Sequence, residues 1–217
     1  MNTSVKYIVM ADTETGGLPN KDSKAFLDVA LIEVACVVVD CLTLSIVDRY
    51  SNIIKPYKDG LEYNPKAEET HGITRKMIDE LGVDCKVVYK DVKELLKKYT
   101  NPRQKAILGG HNFTGFDMPF FEEMFRFYDD DIYNYVKWVE DTQKLEYYTT
   151  LEGENYKLGT CCTRHGIELV EAHRALKDTE SNAELMISYL KRLRGYGASA
   201  VEAPVKEERF RETFQLG

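Results

Sequence analysis

The order of apolar and polar residues predicts three strands in the first part of the chain. An apolar run over residues 5–12 ends in acidic residues and is typical of a strand buried on both faces. Residues 29–40 are rich in Val, Ile and Ala, which suits a central strand, and residues 44–55 follow after a tight turn near 41–43. Strands joined by so short a turn are antiparallel, so we expect an antiparallel start to the sheet.

Helical signals follow these strands. Pro65 stands where a missing N–H is harmless, and it opens a short helical turn. Thr74 is typical of an N-cap and predicts a helix that runs to Leu81, before a glycine. Apolar residues at helical spacing predict a further helix over 88–99.

Strands and helices alternate in the second half of the chain. The predicted elements are a strand over 106–110, a helix over 117–128, a strand over 136–140, and helices near 157–165 and 174–193. The five strands and the helices between them indicate an α/β fold, in which a mixed sheet is flanked by helices in three layers.

The chain of 217 residues is long enough for one well-cored domain, which we assign to residues 1–194. From residue 195 the composition shifts to Gly, Ala and Ser and then to mixed charge. We therefore expect residues 195–217 to form a flexible or partner-dependent tail, through which a protein partner can dock.

The overall composition is that of a soluble globular protein. Hydrophobic residues make up 43% and charged residues 30%, no apolar run has the length of a membrane span, and the N-terminus lacks a signal peptide's apolar segment. The five cysteines are odd in number and contain no Cys-x-x-Cys pair, which argues against a disulfide framework or a zinc site. We expect them to fill small spaces in the core of a cytoplasmic protein with no membrane partner.

The net charge of −7 limits the nucleic-acid contacts that the chain can make. Proteins that grip a long duplex through its phosphates usually carry a strongly basic surface. Part of the negative charge would disappear if acidic residues bind metal. We therefore expect a small footprint on any nucleic acid instead of a long electrostatic track.

Two of the acidic residues follow the first predicted strand. Asp12 and Glu14 are two positions apart, so in a strand their side chains project from the same face. Neighbouring carboxylates at the end of a buried strand repel each other and lose hydration unless a cation neutralises them. A divalent metal that prefers oxygen ligands is the natural partner.

A third carboxylate, Asp117, lies on the apolar stripe of the predicted helix over 117–128, one turn before Phe121. One interpretation is a helix N-cap. The other is a ligand-binding residue, because the segment from His111 to Asp117 leaves the end of a buried strand, the edge where open α/β sheets bind ligands. The position of this segment favours the second interpretation.

His173 and Asp178 form the last candidate pair. On one helix they would lie roughly 140° apart, so they converge only if His173 is on the loop before the helix and Asp178 is in its first turns. An imidazole placed there is near solvent and suited to taking a proton from water. The alternatives are a surface histidine and a first-turn aspartate that the helix dipole stabilises.

In chain order these candidates are Asp12, Glu14, Asp117, His173 and Asp178. The series resembles the DEDDh exonucleases, the 3′-to-5′ branch of the ribonuclease H-like superfamily, which includes proofreading subunits, RNase T and oligoribonuclease. The resemblance covers roughly residues 5–193. Its other motifs are Glu14-Thr15-Gly16-Gly17-Leu18-Pro19, Thr70-His71-Gly72-Ile73-Thr74, Asp141-Thr142 and Gly166-Ile167.

Two details qualify the resemblance. Gly16 stands where the family usually has Thr, and we expect a subtle effect on the loop without loss of activity. Three extra residues between Asn112 and Phe116 resemble the three-prime repair exonucleases more than the commonest bacterial spacing.

The resemblance implies a ribonuclease H-like fold with a mixed five-stranded sheet, and a catalytic site that holds two divalent metal ions, Mg²⁺ or Mn²⁺. Asp12, Glu14, Asp117 and Asp178 would be the metal ligands, and His173 would deprotonate the attacking water. The implied reaction releases nucleoside 5′-monophosphates from the 3′ ends of single-stranded DNA or RNA.

The resemblance also implies substrate contacts. Backbone at Thr15 would bind the terminal 3′-hydroxyl, and Leu18 would wedge against the last base. His71 would lie near the terminal base or sugar, although a purely structural position at a helix end is an alternative. Asn112 would order the site. We expect His165 to lie at the surface.

Two other functions stay open from the sequence. The acidic charge also suits a phosphodiesterase for very short oligonucleotides or signalling nucleotides, because small substrates need little basic surface. A non-catalytic subunit of a replication or repair complex is the other, although all five catalytic-type residues are present. The sequence does not distinguish DNA from RNA.

Overall fold

The computed structural model describes residues 5–18, 28–100, 105–150, 153, 155–169 and 173–195. The strands are β1 (Tyr7–Thr15), β2 (Leu31–Asp40), β3 (Ser45–Lys55), β4 (Val83–Asp84), β5 (Ala106–Gly110) and β6 (Val136–Asp141). The helices are α1 (Pro65–His71), α2 (Arg75–Leu81), α3 (Cys85–Lys98), α4 (Asp117–Phe127), α5 (Thr142–Thr149), α6 (Leu158–Arg164) and α7 (Ala175–Leu193).

The strands form one mixed sheet in the order β4-β3-β2-β1-β5-β6. β1, β2 and β3 are antiparallel neighbours, as predicted, whereas β5 and β6 run parallel to β1. The described sheet has six strands instead of the five predicted. The additional strand, β4, pairs only two residues with the end of β3, and so short a segment has no hydrophobic period to detect.

Helices cover both faces of this sheet and give the three predicted layers. Successive residues of a strand point to opposite faces, so Val9 and Met10 of β1 enter different cores. The core around Val9 includes α3 and α4, and the core around Met10 includes α7. β1 is therefore buried on both faces, as its apolar run indicates.

The helix ends agree with the predicted caps. The Asn64 side chain accepts a hydrogen bond from the Lys66 N–H at the start of α1, and Thr74 Oγ1 accepts from the Met77 N–H at the start of α2. α3 begins at Cys85, earlier than the predicted 88, because Asp84 accepts from the Lys86 N–H and acts as the cap.

The sequence analysis missed α5. Its buried residues are Thr142 and Glu146, which are polar, so the helix has no apolar stripe to mark it. Asp141 caps it by accepting a hydrogen bond from the Gln143 N–H at 3.0 Å.

All five cysteines are buried and free, which confirms that they fill the core. No helix within the described ranges combines the length and the apolar character needed to cross a membrane. The predicted tail lies outside the described residues from 196 onward, and its role stays a prediction, as does the cytoplasmic location.

Candidate active site

The site is built at the end of β1. Asp12 and Glu14 are both half-buried, whereas Ala11 before them and Thr13 between them are buried. The two carboxylates therefore share one face of the strand, as predicted. The pairing of β1 with β2 shifts register directly after Glu14. The two carboxylates thus lie near the end of β1, beside an irregularity in its pairing with β2.

The first turn of α7 brings a third carboxylate to this point. Carboxylate oxygens of Asp12, Glu14 and Asp178 lie within 4.8 Å of one another. α7 is held there because its apolar face packs on the core that contains Met10. The set offers only oxygen donors, which is the chemistry that hard divalent cations such as Mg²⁺ prefer, so these residues fit a divalent metal.

The fourth carboxylate, Asp117, is the first residue of α4 and is only 3% exposed. It accepts hydrogen bonds from the Thr13 N–H at 2.9 Å and from Thr13 Oγ1 at 2.7 Å. The N-cap position of α4 is Phe116. Asp117 therefore does not serve as the helix cap, and it is tied to the residue between Asp12 and Glu14.

His173 lies on the loop directly before α7, and its residue is exposed. Its N–H donates to Asp178 Oδ2 at 2.8 Å, so the loop-and-first-turn convergence expected from the spacing is present. Its backbone has a φ of 69°, in the left-handed region that non-glycine residues seldom adopt. The surrounding contacts must therefore hold this residue in place.

The electrostatics of the site reflect its crowded negative charge. Burial raises the pKa of Asp12 well above its ordinary value, and the neighbouring carboxylates raise it further. Burial, together with the charge of Asp178, raises the pKa of Glu14 to about 8. Burial also raises the pKa of Asp117 to about 7, against the hydrogen bonds from Thr13 that favour its charged form. A bound cation would remove the cost of holding these groups ionised.

A cleft of about 690 Å³ opens over the carboxylates. Asp12, Glu14, Asp117, His173 and Asp178 all line it, so the structure brings the five predicted catalytic residues to one cavity. The lining also includes uncharged polar and cationic groups from the beginnings of α5 and α6, which are Gln143, Lys157 and Thr160.

Asn112 also lines this cleft, at the end of β5. Its backbone has a φ of 55°, and its N–H donates to Asp141 Oδ1 at 3.0 Å. Asp141 at the same time caps α5. Asn112 thus links the end of β5 to the start of α5 through Asp141, which is consistent with a residue that orders the site.

A second cavity, of about 440 Å³, adjoins the carboxylates on the side of the loop after β1. Thr15, Leu18 and His71, the predicted substrate contacts, line it together with Glu14 and Phe116. Leu18 is 84% exposed and presents its apolar side chain to this cavity. The structure therefore groups these three residues at a concave surface beside the carboxylates.

His71 has features of both interpretations given above. It is the last residue of α1, is buried, and its Nδ1 accepts from the Ile73 N–H at 3.0 Å, which is a structural contact. Its Nε2 is buried and makes no hydrogen bond of normal geometry among the described residues, and the Thr15 backbone is the polar group that faces it. Burial lowers the pKa of the imidazole. His71 and Thr15 therefore lie together at the wall of this cavity.

Sequence reasoning missed Glu33 and Arg174. Glu33, in β2, is 2% exposed and lies opposite Glu14 in the β1–β2 register. Arg174 follows His173 and donates to Glu33 Oε1 from Nη2 at 3.2 Å. The available signal was a carboxylate between the apolar residues Ile32 and Val34 of β2, which a buried strand rarely carries without a partner.

The expectation that His165 lies at the surface is wrong. Its side chain is 5% exposed, with Nδ1 2.7 Å from Ser188 Oγ and Nε2 3.0 Å from Glu146 Oε2. Glu146 belongs to α5, the helix that the sequence analysis did not predict, so the partner of His165 was not visible.

Comparison with known proteins agrees with this geometry. A family model, RNase_T, described as Exonuclease, matches residues 9–186. Relatives named DNA polymerase III PolC-type include one from Bacillus cereus, 31% identical over 185 residues, and one from Staphylococcus saprophyticus, 28% identical over 191 residues. These matches cover 85% and 88% of this chain but only 11% and 12% of the relatives.

Two solved structures share the fold. Escherichia coli ExoI, in a zinc-bound complex with single-stranded DNA, has a TM-score of 0.68 at 21% identity, covering 88% of this chain and 41% of ExoI. The nuclease domain of 3′hExo, described as a DEDDh family member bound to rAMP, has a TM-score of 0.69 at 19% identity, covering 88% and 95%.

The family match spans most of the chain, and the five residues that give the DEDDh group its pattern line one cleft. The chain therefore belongs to the RNase_T exonuclease family.

Proposed function

We propose that the protein is a 3′-to-5′ exonuclease that shortens single-stranded nucleic acid and releases nucleoside 5′-monophosphates, using two divalent ions, Mg²⁺ or Mn²⁺. The observation that carries the proposal is the convergence of Asp12, Glu14 and Asp178, whose carboxylate oxygens lie within 4.8 Å of one another. The backbone N–H of His173 donates a hydrogen bond to Asp178, which keeps His173 beside this cluster. This chain belongs to a divalent-metal-dependent family, and its oxygen-only cluster fits that chemistry.

The metal ligands would be Asp12, Glu14 and Asp178, with Asp117 completing the set. When bound, the ions would activate a water molecule and neutralise charge that develops on the phosphate. Asp117 is held in a fixed position by its two hydrogen bonds from Thr13, so its carboxylate needs little reorganisation to act.

His173 would take the proton from the attacking water at its imidazole. Its exposure allows the proton to pass on to solvent, and its hydrogen bond to Asp178 keeps the residue beside the carboxylates. A positioned base of this kind contributes about 10²–10⁴-fold to a rate.

The cavity beside the carboxylates would receive the terminal nucleotide. Leu18 offers an exposed apolar surface against which a base can pack, and the imidazole of His71 would lie near the base or sugar. Backbone at Thr15 would bind the terminal hydroxyl.

An assay with labelled strands tests this function. Single-stranded DNA and RNA oligonucleotides, labelled at the 3′ or 5′ end, are incubated with the protein in Mg²⁺, Mn²⁺ or EDTA. We expect metal-dependent shortening from the 3′ end by wild type and none by Asp12→Asn. Asp48→Asn is a matched control, because Asp48, on β3, is a half-buried carboxylate that forms an ion pair with Lys98. Shortening in EDTA, or an active Asp12→Asn protein, would refute the proposal.

A second candidate is a phosphodiesterase for very short oligonucleotides, which the net charge of −7 favours. A series of substrates from two to about twenty nucleotides separates the two candidates. An exonuclease for longer strands gains kcat/KM as the strand lengthens, whereas an enzyme for short oligonucleotides is fastest at the short end of the series.

A further inference from the structure

Glu33 is a buried carboxylate that the mechanism above does not use. It lies in the central strand β2, 2% exposed, directly opposite Glu14. A carboxylate in such a place is costly unless hydrogen-bond donors surround it. The hydrogen-bond donors that surround the Glu33 carboxylate therefore indicate its role.

Three of these donors come from two places in the chain. Ser51 Oγ, on β3, donates to Oε1 at 3.2 Å. Arg174 Nη2 donates to Oε1 at 3.2 Å, and the Ala175 N–H donates to Oε2 at 3.2 Å. Glu33 thus binds the side chain of Arg174 and the backbone of Ala175, the two residues that directly follow His173.

The backbone conformation of His173 explains why these hydrogen bonds to Glu33 are needed. A residue with a positive φ that is not glycine persists only where its surroundings hold it, since the conformation costs about 1–3 kcal/mol. On one side the His173 N–H is held by Asp178. On the other side Arg174 and Ala175 are held by Glu33.

Glu33 differs from the metal ligands in its surroundings. It is outside the group of carboxylates whose oxygens lie within 4.8 Å of one another. The guanidinium of Arg174 also faces it, which offsets its charge. The contacts of Glu33 are therefore those of a structural carboxylate that binds other parts of the chain, and not those of a metal ligand.

We propose that Glu33 is a positioning residue, which fixes the start of α7 directly after His173 and thereby sets the imidazole of His173 over the reacting water. The inference rests on the proposed role of His173 as the base. Because β2 is a central strand, Glu33 ties the start of α7 to the same rigid sheet that carries Asp12 and Glu14.

The variant Glu33→Gln keeps the side-chain volume and one acceptor oxygen but loses the second carboxylate oxygen. We expect kcat to fall by about 10–100-fold, as for other misplacements of a catalytic group, while KM changes less than threefold. Glu146→Gln is the matched control. Glu146 is also fully buried and accepts from an arginine, but it lies in the α5–α6–α7 network. We expect this control to lose stability without losing kcat, when it is assayed well below its melting temperature.

A double-mutant cycle identifies the residue through which Glu33 acts. In a His173→Ala background, Glu33→Gln has no further effect on kcat if its role is to place the imidazole. An undiminished effect of Glu33→Gln in that background would overturn the proposal. So would a loss of Mn²⁺ binding by Glu33→Gln in calorimetry, because it would make Glu33 part of the metal site. If wild type itself has no exonuclease activity, the proposed function fails, whereas an active wild type with an equally active Glu33→Gln refutes only the present inference.

Discussion

The buried network around Glu146 predicts a measurable loss of stability in acid. Glu146 is fully buried, which disfavours its charged form, but hydrogen bonds from Thr150, Tyr189, His165 and Arg164 outweigh burial and lower its pKa from 4.5 to about 2. The difference between these pKa values corresponds to about 3 kcal/mol. Because the folded-state pKa is below the unfolded one, this stabilisation is complete above about pH 4.5 and is lost as the pH falls toward 2.

The perturbation is Glu146→Gln, and the assay is urea unfolding of both proteins in EDTA between pH 7 and pH 3. The difference in free energy of unfolding between wild type and variant should be about 3 kcal/mol at pH 7, and should shrink by about 2 kcal/mol between pH 5 and pH 3. Other carboxylates titrate equally in both proteins and cancel in this difference. Glu80→Gln, at an exposed carboxylate beside Lys76, is the control and should change stability by less than about 1 kcal/mol at every pH. A difference between wild type and Glu146→Gln that stays constant with pH would refute the reasoning.

Four further predictions concern the active site. Asp12→Ala and Asp178→Ala should abolish turnover of a labelled single strand while the circular dichroism spectrum stays native, since each removes one of the three clustered carboxylates that we propose as metal ligands; a wild-type rate in either variant would contradict the assignment. His173→Ala should lower kcat by about 10²–10⁴-fold, and an unchanged pH–rate profile in this variant would count against a base. Glu14→Gln should raise the free energy of unfolding at pH 7 in EDTA by roughly 1–3 kcal/mol, because the folded protein raises the pKa of Glu14 to about 8 and must protonate a carboxyl that is ionised when unfolded; the gain should disappear when the unfolding measurement is repeated in Mg²⁺. Leu18→Ala should raise KM more than it lowers kcat, because the exposed side chain would contact the terminal base; steady-state kinetics on single strands that show an unchanged KM would argue against that contact.

The predictable part of the fold is the part with regular local signals. Pro65 and Thr74 mark helix starts whatever the tertiary structure, and the apolar runs around Val9 and residues 29–40 mark strands that are buried on both faces. α5 was missed for the opposite reason. Its inward positions carry polar side chains whose burial depends on partners from α6 and α7, and no local pattern records those partners.

The five residues that line the cleft were predictable as an ordered set, although each one alone was ambiguous, and their catalytic roles stay a prediction. Asp117 fitted a helix cap until its hydrogen bonds to Thr13 were seen. Glu33 was not predictable, because its role depends on Arg174, which is distant in sequence and is brought close by the packing of α7 on β2. A single acidic residue in a strand carries no information about which distant group will face it.

The placement of Asp12 near one end of the folded region and Asp178 in its last described helix has a consequence for biosynthesis. A chain on the ribosome cannot assemble the three clustered carboxylates until the residues of α7 have been added, since β1 supplies only two of them. The same helix covers the apolar face around Met10, so a chain cut short before α7 would expose that face as well as lack the third carboxylate. Exposed apolar surface of this kind makes incomplete chains prone to aggregation.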